Sequence, residues 1–182
     1  MRAHGYMLLM YGYYAAQIRF LGVFLNCHLD WKPQIQRVCK VASQRIHGLR
    51  ILKKIHVSTD NLILVYNAIV RSILEYASPS FGILPSNLNE KLERVQKRCH
   101  CLICGFGWNE KCECGRFESL SHRRKRATIK LFKQAAQNNH ILYSIIPKRS
   151  VRSNRHLQPP SSTTRFRSSF VPHATYLSNS DS

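Results

Sequence analysis

Five cysteines within sixteen residues form the sharpest chemical pattern in this sequence. A Cys-x2-Cys pair and a Cys-x-Cys pair, separated by seven residues, offer four thiolates for a tetrahedral zinc site: Cys101, Cys104, Cys112 and Cys114. Zinc-binding Cys-x2-Cys pairs usually lie on a turn, whereas this pair falls at the end of a predicted helix. Alternatively, Cys99 fills an apolar helical stripe and the other four are incidental small residues. We therefore predict no metal site, with a zinc-stabilised Cys-rich interaction module as the competing hypothesis.

Carboxylates that could hold catalytic metal ions are scarce. Templated polymerisation needs Mg²⁺ ions held by clustered carboxylates, usually including an adjacent pair. The sequence has three aspartates, Asp30, Asp60 and Asp181, and none of them adjoins another acidic residue. Its six glutamates fall on predicted helices or in the Cys-rich segment, where pairing with cations is expected. We predict no catalytic residues, no cofactor and no polymerase or nuclease activity.

The charge balance indicates a polyanionic partner. The sequence holds 28 Lys and Arg residues against 9 Asp and Glu residues, a formal net charge of +19. Such a chain repels itself when compact and is stabilised by nearby anions, so nucleic acid is the leading class of partner. A membrane surface comes second, and a sequence free of functional constraint is the third alternative. The 44% hydrophobic content is that of an ordinary folded domain.

The cysteine count and the N-terminal segment bear on the compartment. Seven cysteines and no Asn-x-Ser/Thr sequon are not typical of a secreted disulfide framework, so we expect a reducing, intracellular environment with the nucleus as a candidate. The apolar segment 6–16 imitates a signal-peptide core, but it is too short to span a bilayer and is interrupted by Gly12. A buried strand or helix is the alternative interpretation, and no membrane partner is expected.

A mainly α fold is predicted from the apolar periodicity. Segment 17–31 has a β-rich apolar run around Gly22 and predicts a short hairpin. Apolar residues then recur at spacings of three and four, which predicts four helices, at 35–55, 60–76, 88–103 and 120–137. From Pro147 the composition changes to Ser, Arg, Pro and Thr, which predicts an extended or disordered tail. The expected organisation is an apolar segment 1–16, a helical region 17–146 and a basic tail 147–182.

Basic residues follow the sides of these helices that face away from the apolar stripes. On the first and third helices they are predicted to contact nucleic-acid phosphates, and the residues concerned are Arg37, Lys40, Arg50, Lys54, Lys91, Arg94, Lys97 and Arg98. A cationic run at 122–126 adds Arg123 and Arg124 to this set. That run is alternatively a nuclear import signal or a solvated helix face.

Several blocks, in this order, are similar to the C-terminal region of reverse transcriptases from non-LTR (LINE-type) retrotransposons such as the jockey group. The quoted blocks are RFLGV at 19–23 with LDWKPQI at 29–35, YNAIVRSILEYASP at 66–79, KLERVQKRC at 91–99, and Phe166, SFVP at 169–172 and Asn179. The Trp-Asn-x-Leu-Pro ending common in that family is missing. The similarity covers about residues 18–179, and segment 1–16 matches nothing in the family.

The resemblance implies a thumb-like helical bundle that grips RNA or an RNA–DNA duplex by its phosphates. The endonuclease, fingers and palm of the family would precede residue 18. The expected function is therefore that of a catalytically inactive fragment of an RNA-directed DNA polymerase, which retains a nucleic-acid-binding region and has lost the polymerase carboxylates.

Overall fold

A two-stranded hairpin opens the part of the chain that the structure, a computed structural model, describes: residues 17–26, 30–105, 117–137, 139–148, 150, 155–159 and 169–180. Strand β1 (Gln17–Phe20) pairs antiparallel with β2 (Val23–Asn26). Leu21 and Gly22 join the strands with φ of 46° and 82°, the left-handed pair that a two-residue hairpin turn requires. The predicted hairpin is confirmed.

Helices make up most of the remaining described chain, which confirms the mainly α prediction. They are α1 (Lys32–Lys54), α2 (Thr59–Tyr66), a π-helical turn (Asn67–Arg71), α3 (Ser72–Leu74), a 3₁₀ helix (Ser78–Phe81), α4 (Ser86–Cys104), α5 (Leu120–Ala135), a second 3₁₀ helix (Tyr143–Ile145) and α6 (Phe170–Ser180). No described helix is both long enough and apolar enough to cross a membrane.

The helix boundaries follow the predicted signals with one exception. Pro33 lies in the first turn of α1, and the Ser58 side chain accepts a hydrogen bond from the Asn61 backbone at the start of α2. Gly105, at φ +76°, ends α4 in the left-handed conformation that glycine adopts without steric cost. Asn87 and Glu90 have the spacing of a capping box, but α4 begins at Ser86, so Pro85 occupies the N-cap position and no side chain caps the helix.

The predicted helix 60–76 is interrupted by the π-helical turn. A π turn holds more residues than an α turn, so it rotates the apolar stripe that follows it. Val70 and Leu74 therefore lie fully in the core, whereas Ile69 and Ile73 are only half-buried.

The core lies between α1, α2 and α4. It consists mainly of apolar side chains at helical spacing, among them Ile35, Ala42, Ile46, Leu49, Leu62, Tyr66, Val70, Leu88, Leu92, Val95, Cys99 and Ile103. Each large aliphatic residue buried in this way contributes roughly 1.5–3 kcal/mol. The C-terminal ends of α1 and α4 lie together, because the Lys53 ammonium group donates a hydrogen bond to the Ile103 carbonyl at 3.0 Å.

Helix α6 is an element that the sequence analysis did not predict, since it falls within the expected tail. It packs along α5 and buries Ala174 and Thr175 completely. Because its buried face is made of small and polar side chains, it has no strong apolar periodicity. The expectation for segment 147–182 is thus revised at 170–180, whereas 149, 151–154, 160–168, 181–182 and the N-terminal segment 1–16 lie outside the described residues.

Candidate nucleic-acid interface

The basic side chains of α1 point to two different sides of the helix. Arg37, Lys40, Arg50 and Lys54 are all exposed. Cys39 lies on the side of α1 that faces α4, within electrostatic reach of Lys91 and Arg98. Arg50 follows Cys39 by about three helical turns and therefore lies on the same side, and Lys54 lies one turn further along it. Arg37 projects elsewhere, with its guanidinium 4.8 Å from the centre of the Phe24 ring in the hairpin. The prediction that all four share one face is therefore corrected for Arg37.

Two cations of α4 border this side of α1. Lys91 and Arg98 are both exposed and lie two turns apart on α4. Burial raises the pKa of the Cys39 thiol, and the positive charges of Lys91 and Arg98 partly oppose that rise. Both cations therefore lie within electrostatic reach of the middle of α1. Lys40 is exposed and precedes Lys54 by about four turns, so it lies on the same side of α1 as Lys54. We call the combined set the α1/α4 basic surface, which consists of Lys40, Arg50, Lys54, Lys91 and Arg98.

The other two predicted cations of α4 lie further from α1. Arg94 pairs with Glu90 at 3.1 Å, one turn earlier on the same helix, and both side chains are more than half exposed. An exposed pair of this kind contributes only about 0.3–0.5 kcal/mol, so a phosphate can displace it. Lys97 is also exposed, on the outer side of α4.

Arg123 forms ion pairs within the protein, and its predicted phosphate contact stays a prediction. Its guanidinium donates two hydrogen bonds to the carboxylate of Glu75, one of them 3.1 Å long, and lies 3.6 Å from Glu118. The hydrogen bonds that Arg123 donates to Glu75 are the main reason that the pKa of Arg123 is raised further. This ion pair joins α5 to the end of α3, so Arg123 is largely committed within the protein.

Arg124 is buried, with 4% of its surface exposed, so the prediction that it contacts phosphate is wrong for this conformation. It donates a hydrogen bond to the Asn89 side chain at 2.6 Å and lies 5.8 Å from the centre of the Phe81 ring. Burial lowers the pKa of this guanidinium. The inward stripe of α5 runs through Leu120, Arg124, Thr128 and Phe132, at spacings of four. The apolar stripe expected for this helix consisted of Ala127, Leu131, Ala135 and Phe132; Ala135 and Phe132 are buried, whereas Ala127 and Leu131 are only half-buried.

The described cysteines do not converge. Cys99 lies in the core, and burial raises the pKa of its thiol to about 12, whereas Cys101 is exposed on the opposite side of α4. Among the described residues, no group of three or more His, Cys, Asp or Glu side chains could hold a metal ion. Cys112 and Cys114 lie outside the described residues, so the absence of zinc stays a prediction.

A buried polar network, which the sequence analysis missed, fixes α4 against α2 and α5. The Tyr66 hydroxyl donates to Gln96 at 2.8 Å, and the Gln96 amide donates to the Glu118 carbonyl at 2.9 Å. Glu93 accepts hydrogen bonds from the Ser119 hydroxyl and the Ser121 backbone amide. Gln96 follows Leu92 by one turn on the inner side of α4, which is the only sequence signal of its burial.

Comparison with known proteins gives no match among protein-family models, curated proteins or solved structures. The function is therefore inferred from the positions and the chemistry of the residues themselves.

Proposed function

We propose that this chain binds RNA or RNA–DNA duplex through its phosphates, without sequence preference and without catalysis. The main support for this proposal is the α1/α4 basic surface, which brings together cations from two helices that are far apart in the sequence. The resemblance of blocks 66–79 and 91–99 to the reverse transcriptase thumb supports the same partner and, with it, an origin in a non-LTR retrotransposon polymerase. An intracellular location is part of this proposal.

The length of the basic surface favours a polymeric anion. From Lys40 to Lys54, α1 advances about 21 Å at a rise of about 1.5 Å per residue. Duplex DNA carries about one negative charge per 1.7 Å of axis, so a surface of this length faces several phosphates at once. A single small phosphate-bearing ligand would contact only a part of it.

Few negative charges oppose the surface. Helix α1 contains no acidic residue, and α4 contains only Glu90 and Glu93. Glu90 pairs with Arg94, whereas Glu93 accepts its hydrogen bonds from the start of α5. The cations of the α1/α4 basic surface therefore keep their attraction for an external polyanion.

The side chains of this surface are suited to backbone contact and not to reading bases. Exposed Lys and Arg residues on a helix face reach phosphates with flexible side chains, and such contacts position a duplex without reading its sequence. The carboxylates Asp30 and Asp60, at the starts of α1 and α2, are not part of a metal-binding cluster of described residues. A role in binding alone agrees with this distribution of charge.

The folded conformation does not favour the cationic run 122–126 as a nuclear import signal. Its centre is occupied by Arg123, which is paired with Glu75, and by the buried Arg124. An import receptor would need both side chains extended into solvent.

Fluorescence anisotropy with the full chain tests the proposal. Two RNA–DNA duplexes of unrelated sequence should bind with similar affinity at about 50 mM salt, where phosphate contacts are least screened. Lys91→Gln/Arg98→Gln should lower the affinity on the order of tenfold, because two contacts are lost. Arg45→Gln/Lys148→Gln is the matched control, since it removes one exposed Arg and one exposed Lys that lie outside the surface. Absence of binding at low salt would refute the proposed function.

The full chain is necessary because α6 covers α5. A chain that ended near Pro147 would lack α6 and would expose the side of α5 on which Ala174 and Thr175 are buried. Loss of binding by such a truncated chain would then report misfolding.

A further inference from the structure

A second cationic surface lies between α5 and α6, and it includes His122, Lys125 and Arg126 of the cationic run 122–126. It is an open groove of about 660 Å³, lined by His122, Lys125, Arg126, Ile129, Lys130, Lys133, Gln134, Gln137, Leu177 and Ser180. We call it the α5/α6 groove. No residue of α1 or α4 is among the described residues that line it, so it is distinct from the α1/α4 basic surface.

The charge of the groove is strongly positive. Lys125, Arg126, Lys130 and Lys133 are all exposed, and no acidic residue is among the described residues that line the groove. Glu118 accepts a hydrogen bond from Arg126 at 2.6 Å, so it offsets charge only at the N-terminal end of α5.

The shape and chemistry of the groove point to a chain of phosphates with attached flat apolar groups. The Lys and Arg residues from position 125 to position 133 extend about 12 Å along α5, which is longer than one phosphate group. Between them, Ile129 and Leu177 supply apolar surface, and Gln134 and Gln137 supply amide donors and acceptors. Cations that follow the backbone are what single-stranded nucleic acid needs, and here aliphatic side chains take the place of the aromatic ones on which bases usually stack.

We propose that the α5/α6 groove binds single-stranded nucleic acid. A duplex would offer its phosphates to the lysines but would keep its base faces stacked and away from Ile129 and Leu177. An acidic peptide would satisfy the lysines but would leave the apolar strip without a flat partner. This site goes beyond the proposed duplex contact and does not depend on it.

The two surfaces are held on adjoining helices. Arg124 of α5 donates to Asn89 of α4, and the Gln96 amide of α4 donates to the carbonyl of Glu118, just before α5. These hydrogen bonds connect the two surfaces of the protein rigidly. A duplex with a single-stranded extension can therefore contact both surfaces at once.

Anisotropy measurements with a labelled oligouridylate of about 15 nucleotides test the groove directly. Lys125→Gln/Lys130→Gln should weaken binding of this probe on the order of tenfold and change the affinity for RNA–DNA duplex by less than about twofold. Ile129→Ser should weaken oligouridylate binding by several-fold at unchanged net charge, because it removes part of the apolar strip. These side chains lie on the groove, so unchanged circular dichroism and melting temperature are expected for all three substitutions.

The control Arg45→Gln/Lys148→Gln separates site binding from general attraction by the basic chain. The proposal is overturned if this control weakens oligouridylate binding as much as Lys125→Gln/Lys130→Gln does. It is also overturned if polyglutamate of similar length binds as tightly as the oligouridylate. If the duplex fails to bind while the oligouridylate binds through Lys125 and Lys130, the proposed function is wrong and the groove assignment stands.

Discussion

The α1–α2–α4 part of the molecule and the α5–α6 part bury different kinds of side chain. In the first, the contacts between helices are made mainly by residues such as Ile35, Leu49 and Leu92. In the second, the inward face of α5 contains Arg124 and Thr128, and α6 contributes Thr175 among others. A Lys or Arg residue in the sequence therefore indicates a binding surface only where the helix face around it is exposed to solvent.

Polar groups at the junction of α5, α6 and the first 3₁₀ helix are incompletely satisfied. Nε of Arg124 and Nε2 of His173 have no hydrogen-bond partner among the described residues. A Cβ placed on Gly82 would lie 2.8 Å from the His173 ring, so this glycine permits the close approach of α6. Arg124 is in addition a buried charge whose hydrogen-bond partner, Asn89, is neutral, and such burial costs free energy, so the α5–α6 part should be the less stable of the two.

The largest expected effect is at the centre of the apolar part. Leu92→Ala should lower the free energy of unfolding by about 2–5 kcal/mol, because Leu92 is fully buried and its truncation leaves a cavity. Leu64→Ala is the matched control at a largely exposed site and should cost less than about 0.5 kcal/mol. Urea denaturation measures both, and equal costs would contradict the assignment of the core.

A smaller effect is expected from the tyrosine that connects α2 to α4. Tyr66→Phe should cost about 1–3 kcal/mol, because it leaves the buried Gln96 oxygen without its donor. Tyr76→Phe also removes one hydroxyl, which donates to the Leu21 carbonyl at 2.6 Å, but that site is exposed and water can replace the donor. A cost for Tyr76→Phe as large as that for Tyr66→Phe would argue against a buried polar network.

In the α5–α6 part, replacing a buried charge should be tolerated. Arg124→Met keeps much of the side-chain volume and removes a desolvated guanidinium whose hydrogen-bond partner, Asn89, is neutral. We expect the free energy of unfolding to rise by about 1 kcal/mol. Arg124→Ala, which adds a cavity, should instead destabilise the protein. A loss of more than about 2 kcal/mol in Arg124→Met would show that the cation is essential to the packing of α5.

The smallest expected effect is a pH dependence of the contact made by α6. Burial is the main cause of the lowered pKa of His173, and the charges of Lys125 and Arg124 add to it. The unfolded chain therefore binds a proton more readily than the folded protein, and stability falls as the pH drops through about 6.5 toward the folded pKa. Burial also lowers the pKa of His100, which adds to the fall with the same sign.

The two histidines are separated by substitution. His173→Gln should reduce the loss of stability between about pH 7.5 and 5.5, and His47→Gln, at an exposed site on α1, should leave it unchanged. Hydrogen exchange of residues 170–180 measures the effect locally. Faster exchange at low pH that persists unchanged in His173→Gln would exclude this histidine as the cause.

The sequence was sufficient for the hairpin and for the extents of α1, α4 and α5, because apolar periodicity and the signals at Pro33 and Gly105 are local. Helix α6 was missed because its buried face is made of small and polar residues. The π-helical turn was missed because, in the sequence, the short apolar stripes of α2 and α3 resemble the stripe of one continuous helix. Arg124 was misassigned because burial of a cation depends on Asn89 and Phe81, which are distant in the sequence.

Only part of the candidate interface could be predicted from the sequence, because the packing of one helix against another is not a local property. Spacing places Lys40 and Lys54 on an exposed face of α1, but only the packing of α1 beside α4 shows that Lys91 and Arg98 join them. The same packing excludes Arg37, which stacks on the hairpin. No local pattern predicts which helix face meets which neighbour.

The salt dependence of duplex affinity is the most direct measure of whether the α1/α4 basic surface contacts phosphates. With about four to six phosphate contacts, log K for the full chain should fall with log salt at a slope of about −3 to −5, since each contact contributes about 0.7–0.9. Lys91→Gln/Arg98→Gln should flatten this slope by about 1.4 to 1.8, and Arg45→Gln/Lys148→Gln should leave it unchanged. Equal flattening by both pairs, or a slope near zero in the unsubstituted chain, would contradict duplex binding by the α1/α4 basic surface.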